Sequence, residues 1–232
     1  MDEGPQELAF FAKRHTNLAL ALDPKWSETK AAVAPMKWAS IFSGAVDGPA
    51  TIGALLGVID YHARYDSDEN VRQHWAACRK AKQKLRDWGD IESVSKSELQ
   101  EVLHLSDVLT VSPPCSDWSK AGKQMRTQSK RGSWLVEWVD HILPFGRPKV
   151  IIMEFIYDAN DSLFMEALNT LVQRMQTKYG YVVADPRTCI VNAAELGGEA
   201  RVRLILPARR KDCGTSVWGE TPGSAAGPSD YW

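Results

Sequence analysis

The sequence has few cysteines, little net charge and no long apolar run, and each shortage excludes a class of protein. Four cysteines occur in 232 residues and none forms a Cys-x-x-Cys pair, so neither a zinc site nor a disulfide framework is indicated. Reduced thiols are typical of an intracellular protein. The formal net charge of -1 excludes binding to nucleic acid through overall positive charge. We expect neither a membrane span nor a signal peptide, because no apolar segment has the required length.

The remaining composition is that of an ordinary globular protein, with 44% hydrophobic and 25% charged residues. The length suits one large α/β domain with a full core. We interpret residues 1–36 as an irregular lead-in and 37–210 as the folded domain. Residues 211–232 are rich in Gly, Ser and Pro, which predicts a disordered tail.

The most informative stretch runs from Asp107 to Lys123, DVLTVSPPCSDWSKAGK. The β-branched run Val108–Val111 predicts a short buried strand, which the pair Pro113-Pro114 ends. Cys115 follows directly, in a strand-end loop of the kind that binds ligands in α/β sheets. A lone cysteine is usually an inert buried thiol, but a Pro-Pro break followed by a polar loop favours a functional one.

Two segments before this loop have the strand, turn and helix order of nucleotide-binding folds. Residues 39–42 predict a first strand, followed by a small-residue turn and a helix over 49–56. Residues 61–65 predict a second strand, and a helix follows over 69–84. Asp66 ends the second strand at the position that binds ribose in such folds, while Asp68 is interpreted as a helix N-cap.

The second half continues the alternation of helices and strands. Apolar spacing predicts helices over 132–143 and 163–179, the second ended by Gly180. Residues 148–153 predict a strand buried on both faces and ended by Glu154. Short strands are predicted at 181–183 and 189–191. The alternating segment 201–206 is, by itself, most simply a charged edge strand.

Residues 113–123 resemble the proline-cysteine motif of cytosine-5 DNA methyltransferases, PPCQ-x-(F/W)-S-x-AGK, with Ser116 in place of Gln. In that family the cysteine attacks C6 of cytosine, and C5 then takes a methyl group from S-adenosylmethionine. The resemblance implies that Cys115 is the nucleophile. It also implies that Ser119 and Lys123 bind the substrate.

Other segments resemble that family's motifs in the same order along the chain. Phe42-Ser43-Gly44 is similar to its FSG, and Gly89-Asp90-Ile91 to its Gly-Asp-Ile. These resemblances imply S-adenosylmethionine as cofactor and no metal. The implied cofactor-binding residues are Phe42, Ser43, Gly44, Asp66, Asp90, Ile91 and Pro113.

Two later segments complete the implied catalytic set. Glu154-Phe155-Ile156 resembles the family's Glu-Asn-Val, whose Glu holds N3 of the cytosine, with Phe155 in place of Asn. Residues 192–203 resemble NAADYGVPQxRxR and keep Arg201 and Arg203. In the family these arginines contact the cysteine loop, the base and the backbone phosphate.

The resemblance implies a Rossmann-like, doubly wound, mostly parallel sheet of the S-adenosylmethionine-dependent methyltransferase type. It implies methyl transfer to C5 of cytosine in DNA. Two alternatives stay open: a weak or inactive methyltransferase-like module that binds cofactor or a partner, and an RNA cytosine-5 methyltransferase. No segment resembling the family's target-recognition domain follows Arg203, so we expect a partner protein to supply target recognition.

Overall fold

The computed structural model describes residues 35–44, 59–78, 86–114, 116–118, 125–158, 160–192 and 202–213. Within these ranges the strands are β1 (Met36–Ile41), β2 (Ile59–Tyr65), β3 (Arg86–Trp88), β4 (Val108–Val111), β5 (Val150–Ile156), β6 (Tyr181–Val183), β7 (Ile190–Asn192) and β8 (Val202–Arg210). The helices are α1 (Glu69–Cys78), α2 (Lys96–Leu105), α3 (Lys130–Ile142) and α4 (Ser162–Thr177). Single 3-10 turns lie at 91–93, 126–128, 186–188 and 211–213.

All eight strands belong to one sheet, in the order β3-β2-β1-β4-β5-β8-β6, with β7 also paired to β8. β1 to β5 are parallel to one another, whereas β8 is antiparallel to β5, β6 and β7. The strand order reverses direction between β1 and β4, and ligands of open α/β sheets bind at such a switch point. The predicted mostly parallel, doubly wound order is confirmed.

The central strands form where the sequence is continuously apolar. All four residues of β4 are buried, because β1 and β5 flank it in the sheet. In β1, Ala39 and Ile41 are fully buried beside Leu109 and Val111 of β4. The predicted first strand thus begins earlier, at Met36, and ends one residue sooner, because Phe42 adopts a positive φ of 56°.

The two helices with strong apolar spacing are confirmed. α3 begins at Lys130 and α4 at Ser162, after the N-cap residues Ser129 and Asp161. The predicted apolar face of α3 is buried at every position, namely Trp134, Leu135, Trp138, Val139 and Ile142. α2 was not predicted, although Ser95 and Glu98 form a capping box that signals its start.

Several predictions fall partly or wholly outside the described residues. α1 begins at Glu69 as predicted, and residues 79–85 beyond it lie outside. The helix predicted over 49–56 also lies outside, as do most of the lead-in, 1–34, and the tail from 214 onward. No helix within the described ranges is both long and apolar enough to cross a membrane.

Three expectations about β5 and β8 were wrong. The predicted strand 148–153 was to end at Glu154, but β5 continues to Ile156 because β8 pairs with it along its whole length. Its residues alternate between buried and half-buried, so it is not buried on both faces. The alternative interpretation of 201–206 as an edge strand fails because β8 lies inside the sheet, with Leu204 and Leu206 fully buried.

Candidate active site

The loop after β1 is fastened to the end of β2. The Ser43 N–H donates to the carbonyl of Tyr65 over 3.1 Å, and the Gly44 N–H donates to Oδ2 of Asp66 over 2.7 Å. Gly44 has φ of 62°, a left-handed conformation that favours glycine. Phe42-Ser43-Gly44 and Asp66, which the sequence separates by more than twenty residues, therefore form one continuous site.

The Asp66 carboxylate is a backbone acceptor here. Besides the Gly44 contact, its Oδ1 accepts the N–H of Asp68 over 2.9 Å. An ionised carboxylate has about four acceptor positions, so two remain for the hydroxyls of a ligand. Asp68 caps α1 by accepting the Asn70 N–H over 2.8 Å, which confirms the N-cap prediction.

Two observations test whether this site fits S-adenosylmethionine. The Ser43 hydroxyl is buried and has no hydrogen-bond partner within the described part of the chain. An unpaired buried hydroxyl is costly, and a polar ligand beside it would remove that cost. The space beside the Gly44 Cα is open, since an added Cβ would meet no atom within 4 Å. The residues present therefore fit a ligand that carries polar groups.

The end of β3 contributes Asp90 and Ile91. Asp90 is exposed and caps the turn 91–93 by accepting the Glu92 N–H over 3.0 Å, while Ile91 is buried. The Glu92 carboxylate accepts the indole N–H of Trp134 over 3.0 Å. It also pairs with Lys130, whose hydrogen bond holds the pKa of Glu92 below its ordinary value.

Trp134 connects this turn to the loop after β1. Its ring meets Phe42 edge-on, with ring centroids 5.3 Å apart. The side chain of Trp134 is buried, as its helical spacing with the other apolar residues of α3 predicts. It is also the residue of α3 through which the loops after β1 and β3 touch the same element.

Cys115 lies outside the described residues, as do Ser119, Lys123 and Arg201. The residues on both sides of Cys115 are described. The Ser112 N–H donates to the carbonyl of Ile41 over 3.2 Å, and Pro113 after it is buried. Three residues beyond Cys115, the buried Trp118 donates its indole N–H to the carbonyl of Gly132 over 2.9 Å.

The loop has further contacts that sequence reasoning missed. The Asp117 carboxylate accepts the hydroxyl of Ser129, and the Asp117 carbonyl accepts the N–H of Arg126 over 3.0 Å. Arg126 forms an ion pair with Asp161, 2.9 Å between Nη2 and Oδ2. In the sequence, only Ser129 could have indicated these contacts, because serine is a preferred N-cap residue and it stands just before the predicted helix 132–143.

Glu154 and Arg203 are brought together across β5 and β8. The Arg203 Nε lies 3.4 Å from the Glu154 Oε1. The Glu154 side chain is 42% exposed, whereas its place after an apolar run had predicted burial. Phe155 points to the opposite face of β5, is 2% exposed and belongs to the hydrophobic core.

The described residues contain no group of three or more His, Cys, Asp or Glu side chains able to hold a metal ion. The predicted site residues that the structure describes lie at or near the strand ends. Those of β1 to β4 carry the predicted cofactor residues, and β5 and β8 carry the Glu154–Arg203 pair.

Comparison with known proteins identifies a family. The family model of the C-5 cytosine-specific DNA methylases matches residues 37–223. The chain is 27% identical over 182 residues to the Type II methyltransferase M.FnuDI of Fusobacterium nucleatum, covering 78% of this chain and 49% of that protein. It is 25% identical over 180 residues to M.NgoPII of Neisseria gonorrhoeae, covering 77% and 49%. The chain spans about half the length of the curated relatives it matches.

Solved structures agree on the fold. The S. pombe Dnmt2 methyltransferase has a TM-score of 0.53 at 15% identity, covering 76% of this chain and 50% of that one. The Entamoeba histolytica methyltransferase EhMeth has a TM-score of 0.53 at 18% identity, covering 75% and 53%. At these identities the likeness shows the fold alone, and it confirms the predicted methyltransferase type. Because the family model spans most of the chain, the protein belongs to the C-5 cytosine-specific DNA methylase family.

Proposed function

We propose that this chain transfers a methyl group from S-adenosylmethionine to C5 of cytosine in DNA, through a covalent adduct between Cys115 and C6 of the base. The observation that carries the proposal is the family match over residues 37–223, which contains every residue of the proposed site. The anchored loop around Cys115 supports it, because this loop follows β4 at the switch point of the sheet.

The proposed cofactor site comprises Phe42, Ser43, Gly44, Asp66, Asp90, Ile91 and Pro113. S-adenosylmethionine supplies the methyl group when it is bound. The Asp66 carboxylate would accept ribose hydroxyls with the acceptor positions that Gly44 and Asp68 leave open. The buried Ser43 hydroxyl would bind a polar group of the ligand and so lose its unpaired state.

The chemistry proposed for Cys115 requires the cytosine, the methyl donor and a solvent base. Its thiolate sulfur forms a bond to C6, and the electrons of the C5–C6 double bond make C5 nucleophilic. C5 takes the methyl group from S-adenosylmethionine, which leaves as S-adenosylhomocysteine with the bonding electron pair on its sulfur. C5 then loses its proton to a solvent base. The S–C6 bond then breaks, which restores the double bond and the thiolate. The cytosine must leave the base stack for the sulfur to reach C6.

Glu154 and Arg203 would hold the base while this happens. Glu154 would contact N3, and Arg203, with Arg201, would contact the base carbonyl and the backbone phosphate. The ion pair supports these roles, because 3.4 Å between Nε and Oε1 keeps an acidic and a basic group within reach of one base edge. Target recognition by a partner protein stays a prediction.

The second candidate is a methyltransferase-like module that binds the cofactor without turnover. The burial of Phe155 favours it, because an apolar core residue stands where the family has Asn. The two candidates differ in whether Cys115 forms an adduct.

An adduct-trapping experiment separates the two candidates. The protein is incubated with S-adenosylmethionine and DNA containing 5-fluorocytosine, whose C5 fluorine cannot leave as a proton does, so the adduct persists. We expect a denaturation-resistant adduct on the Cys115 peptide, its loss in Cys115→Ser, and its retention in the control Cys189→Ser. Cofactor binding should be equal in all three proteins.

The substrate arms decide between the alternatives. An adduct on single-stranded RNA but not on DNA would replace the DNA proposal with the RNA alternative. If the parent protein binds cofactor but gives no adduct on DNA or RNA, the catalytic proposal is wrong and the binding module is favoured.

A further inference from the structure

We propose that Asp117 is the positioning residue that braces the loop of the nucleophile, acting through Ser129 and Arg126. The inference rests on the proposed role of Cys115 and deepens it. Asp117 does not touch the reacting atoms. It lies two residues after Cys115 and is the nearest described acidic side chain along the chain.

Asp117 is bonded at both its side chain and its backbone. The carboxylate accepts the Ser129 hydroxyl, and the carbonyl accepts the Arg126 N–H over 3.0 Å. Both partners belong to the segment 126–129, so the two bonds hold Asp117 against that segment. Cys115 comes two residues before Asp117 in the sequence. A hydrogen bond to an ionised carboxylate is about twice as strong as one between neutral groups.

The segment 126–129, which holds Asp117, contacts the first turn of α3. Ser129 is the N-cap of α3, and its hydroxyl accepts the Gly132 N–H over 2.8 Å while it donates to Asp117. A Cβ added to Gly132 would lie 1.8 Å from the Arg126 carbonyl, so the two backbones are in direct contact. The Gly132 carbonyl accepts the indole of Trp118. Asp117 and Trp118 therefore connect the loop to the first turn of α3.

The segment 126–129 also contacts the start of α4. Arg126 pairs with Asp161, whose side chain is 12% exposed and caps α4 by accepting the Leu163 N–H over 3.1 Å. Arg126 has φ of 49°, a left-handed conformation that a non-glycine residue adopts at a cost of about 1–3 kcal/mol. Such a conformation persists where surrounding contacts determine it. Here the contacts are those to Asp117, Asp161 and the α3 backbone.

The loop ring adds a contact of its own. Trp118 meets Phe164 of α4 edge-on, with ring centroids 6.1 Å apart. Phe155, which follows Glu154 in β5, is buried among apolar groups and has no polar group to offer the loop. Asp117 adds a carboxylate contact to the segment 116–118, beside the bond from the Trp118 indole to the Gly132 carbonyl.

The test compares Asp117→Ala and Asp117→Asn with the matched control Asp185→Ala. The Asp185 carboxylate caps a 3-10 turn by accepting the Arg187 N–H over 3.0 Å, and it lies between β6 and β7, away from the Cys115 loop in the sequence. Three quantities are measured: adduct rate on 5-fluorocytosine DNA against DNA concentration, alkylation of Cys115 by iodoacetamide with peptide mapping, and the thermal unfolding midpoint.

We expect Asp117→Ala to lower the adduct rate at saturating DNA by about tenfold or more, the factor that ~1.4 kcal/mol of lost positioning produces. The DNA concentration for half-maximal rate should change by less than about threefold, because DNA contacts remain. Asp117→Asn keeps an acceptor oxygen for Ser129 and should recover most of the rate. Cys115 in Asp117→Ala should be alkylated faster, because its loop is less restrained, while Asp185→Ala should match the parent.

The outcomes separate this inference from the proposed function. A parent rate in Asp117→Ala overturns the brace and leaves the catalytic proposal standing. If the parent forms no adduct at all, the catalytic proposal fails, and the alkylation arm still decides: unchanged Cys115 alkylation in Asp117→Ala overturns the brace.

A second variant keeps the test decisive if Asp117→Ala does not fold. Ser129→Ala removes both the brace and the α3 cap, whereas Ser95→Ala removes only a cap, that of α2. A larger rate loss in Ser129→Ala supports the brace, and equal losses overturn it.

Discussion

Replacing Asp66 by alanine separates the two roles that the structure gives this carboxylate. It removes the acceptors for the Gly44 N–H at 2.7 Å and the Asp68 N–H at 2.9 Å. A hydrogen bond to a charged group contributes about 1.5–3 kcal/mol, and partial exposure places these two at the low end. We therefore expect the free energy of unfolding to fall by about 2–3 kcal/mol.

The effect on the cofactor should be larger than the effect on stability alone implies. If Asp66 also accepts two ribose hydroxyls, its loss should weaken cofactor binding by about 3 kcal/mol, a Kd more than about 100-fold higher. The matched control is Asp68→Ala, which removes the N-cap bond to Asn70. That loss costs about 1 kcal/mol of stability and should leave the Kd unchanged.

Two assays read the two roles. Urea unfolding gives the change in stability, and calorimetric titration with S-adenosylmethionine gives the Kd. Asp66→Ala and Asp68→Ala binding the cofactor equally well would refute the assignment of Asp66 to the ribose. Equal unfolding midpoints for Asp66→Ala and the parent would refute the stabilising role of its contacts.

Two further predictions concern stability. Partial burial alone would raise the pKa of Asp140, but hydrogen bonds from Lys178 and Tyr179 outweigh it and hold the pKa below its ordinary value. The stability that this carboxylate contributes is therefore present above about pH 3.9 and is lost as pH falls through the folded-state pKa; Asp140→Asn should flatten the acid side of a stability curve measured from pH 7 to 3, and an unchanged slope would contradict this. Phe155→Asn puts an amide into the core at a 2% exposed position and should cost about 3–5 kcal/mol. Phe155→Leu should cost much less, and a parent-like urea midpoint for the Asn variant would show that the position is not core.

The activity of Phe155→Asn must be interpreted together with its stability. Asparagine stands at this position in the family, so Phe155→Asn looks like a restoration. In this chain, however, Phe155 faces the core from β5 while Glu154 faces the other side. Activity lost in that variant would reflect unfolding, and a stability measurement must accompany it.

Local features were predictable because their causes are local. β4 follows from a β-branched run ended by Pro-Pro, and α3 follows from apolar residues at helical spacing. The N-cap at Asp68 follows from a side chain that reaches an N–H two residues away. The motif order was also enough to identify the family, since it depends on residue types and not on their coordinates.

By itself, then, the sequence determined the family, the alternation of strands and helices, and the residue types available to the site. Only the tertiary structure decided that β8 lies inside the sheet, that Glu154 is half-buried beside Arg203, and that the Asp117 carboxylate accepts the Ser129 hydroxyl. The physical reason is that these outcomes depend on pairing between segments far apart in the chain. Before folding, an alternating strand can pair at an edge or in the interior, and a loop carboxylate has many equivalent donors. Packing around one common core selects a single arrangement among them.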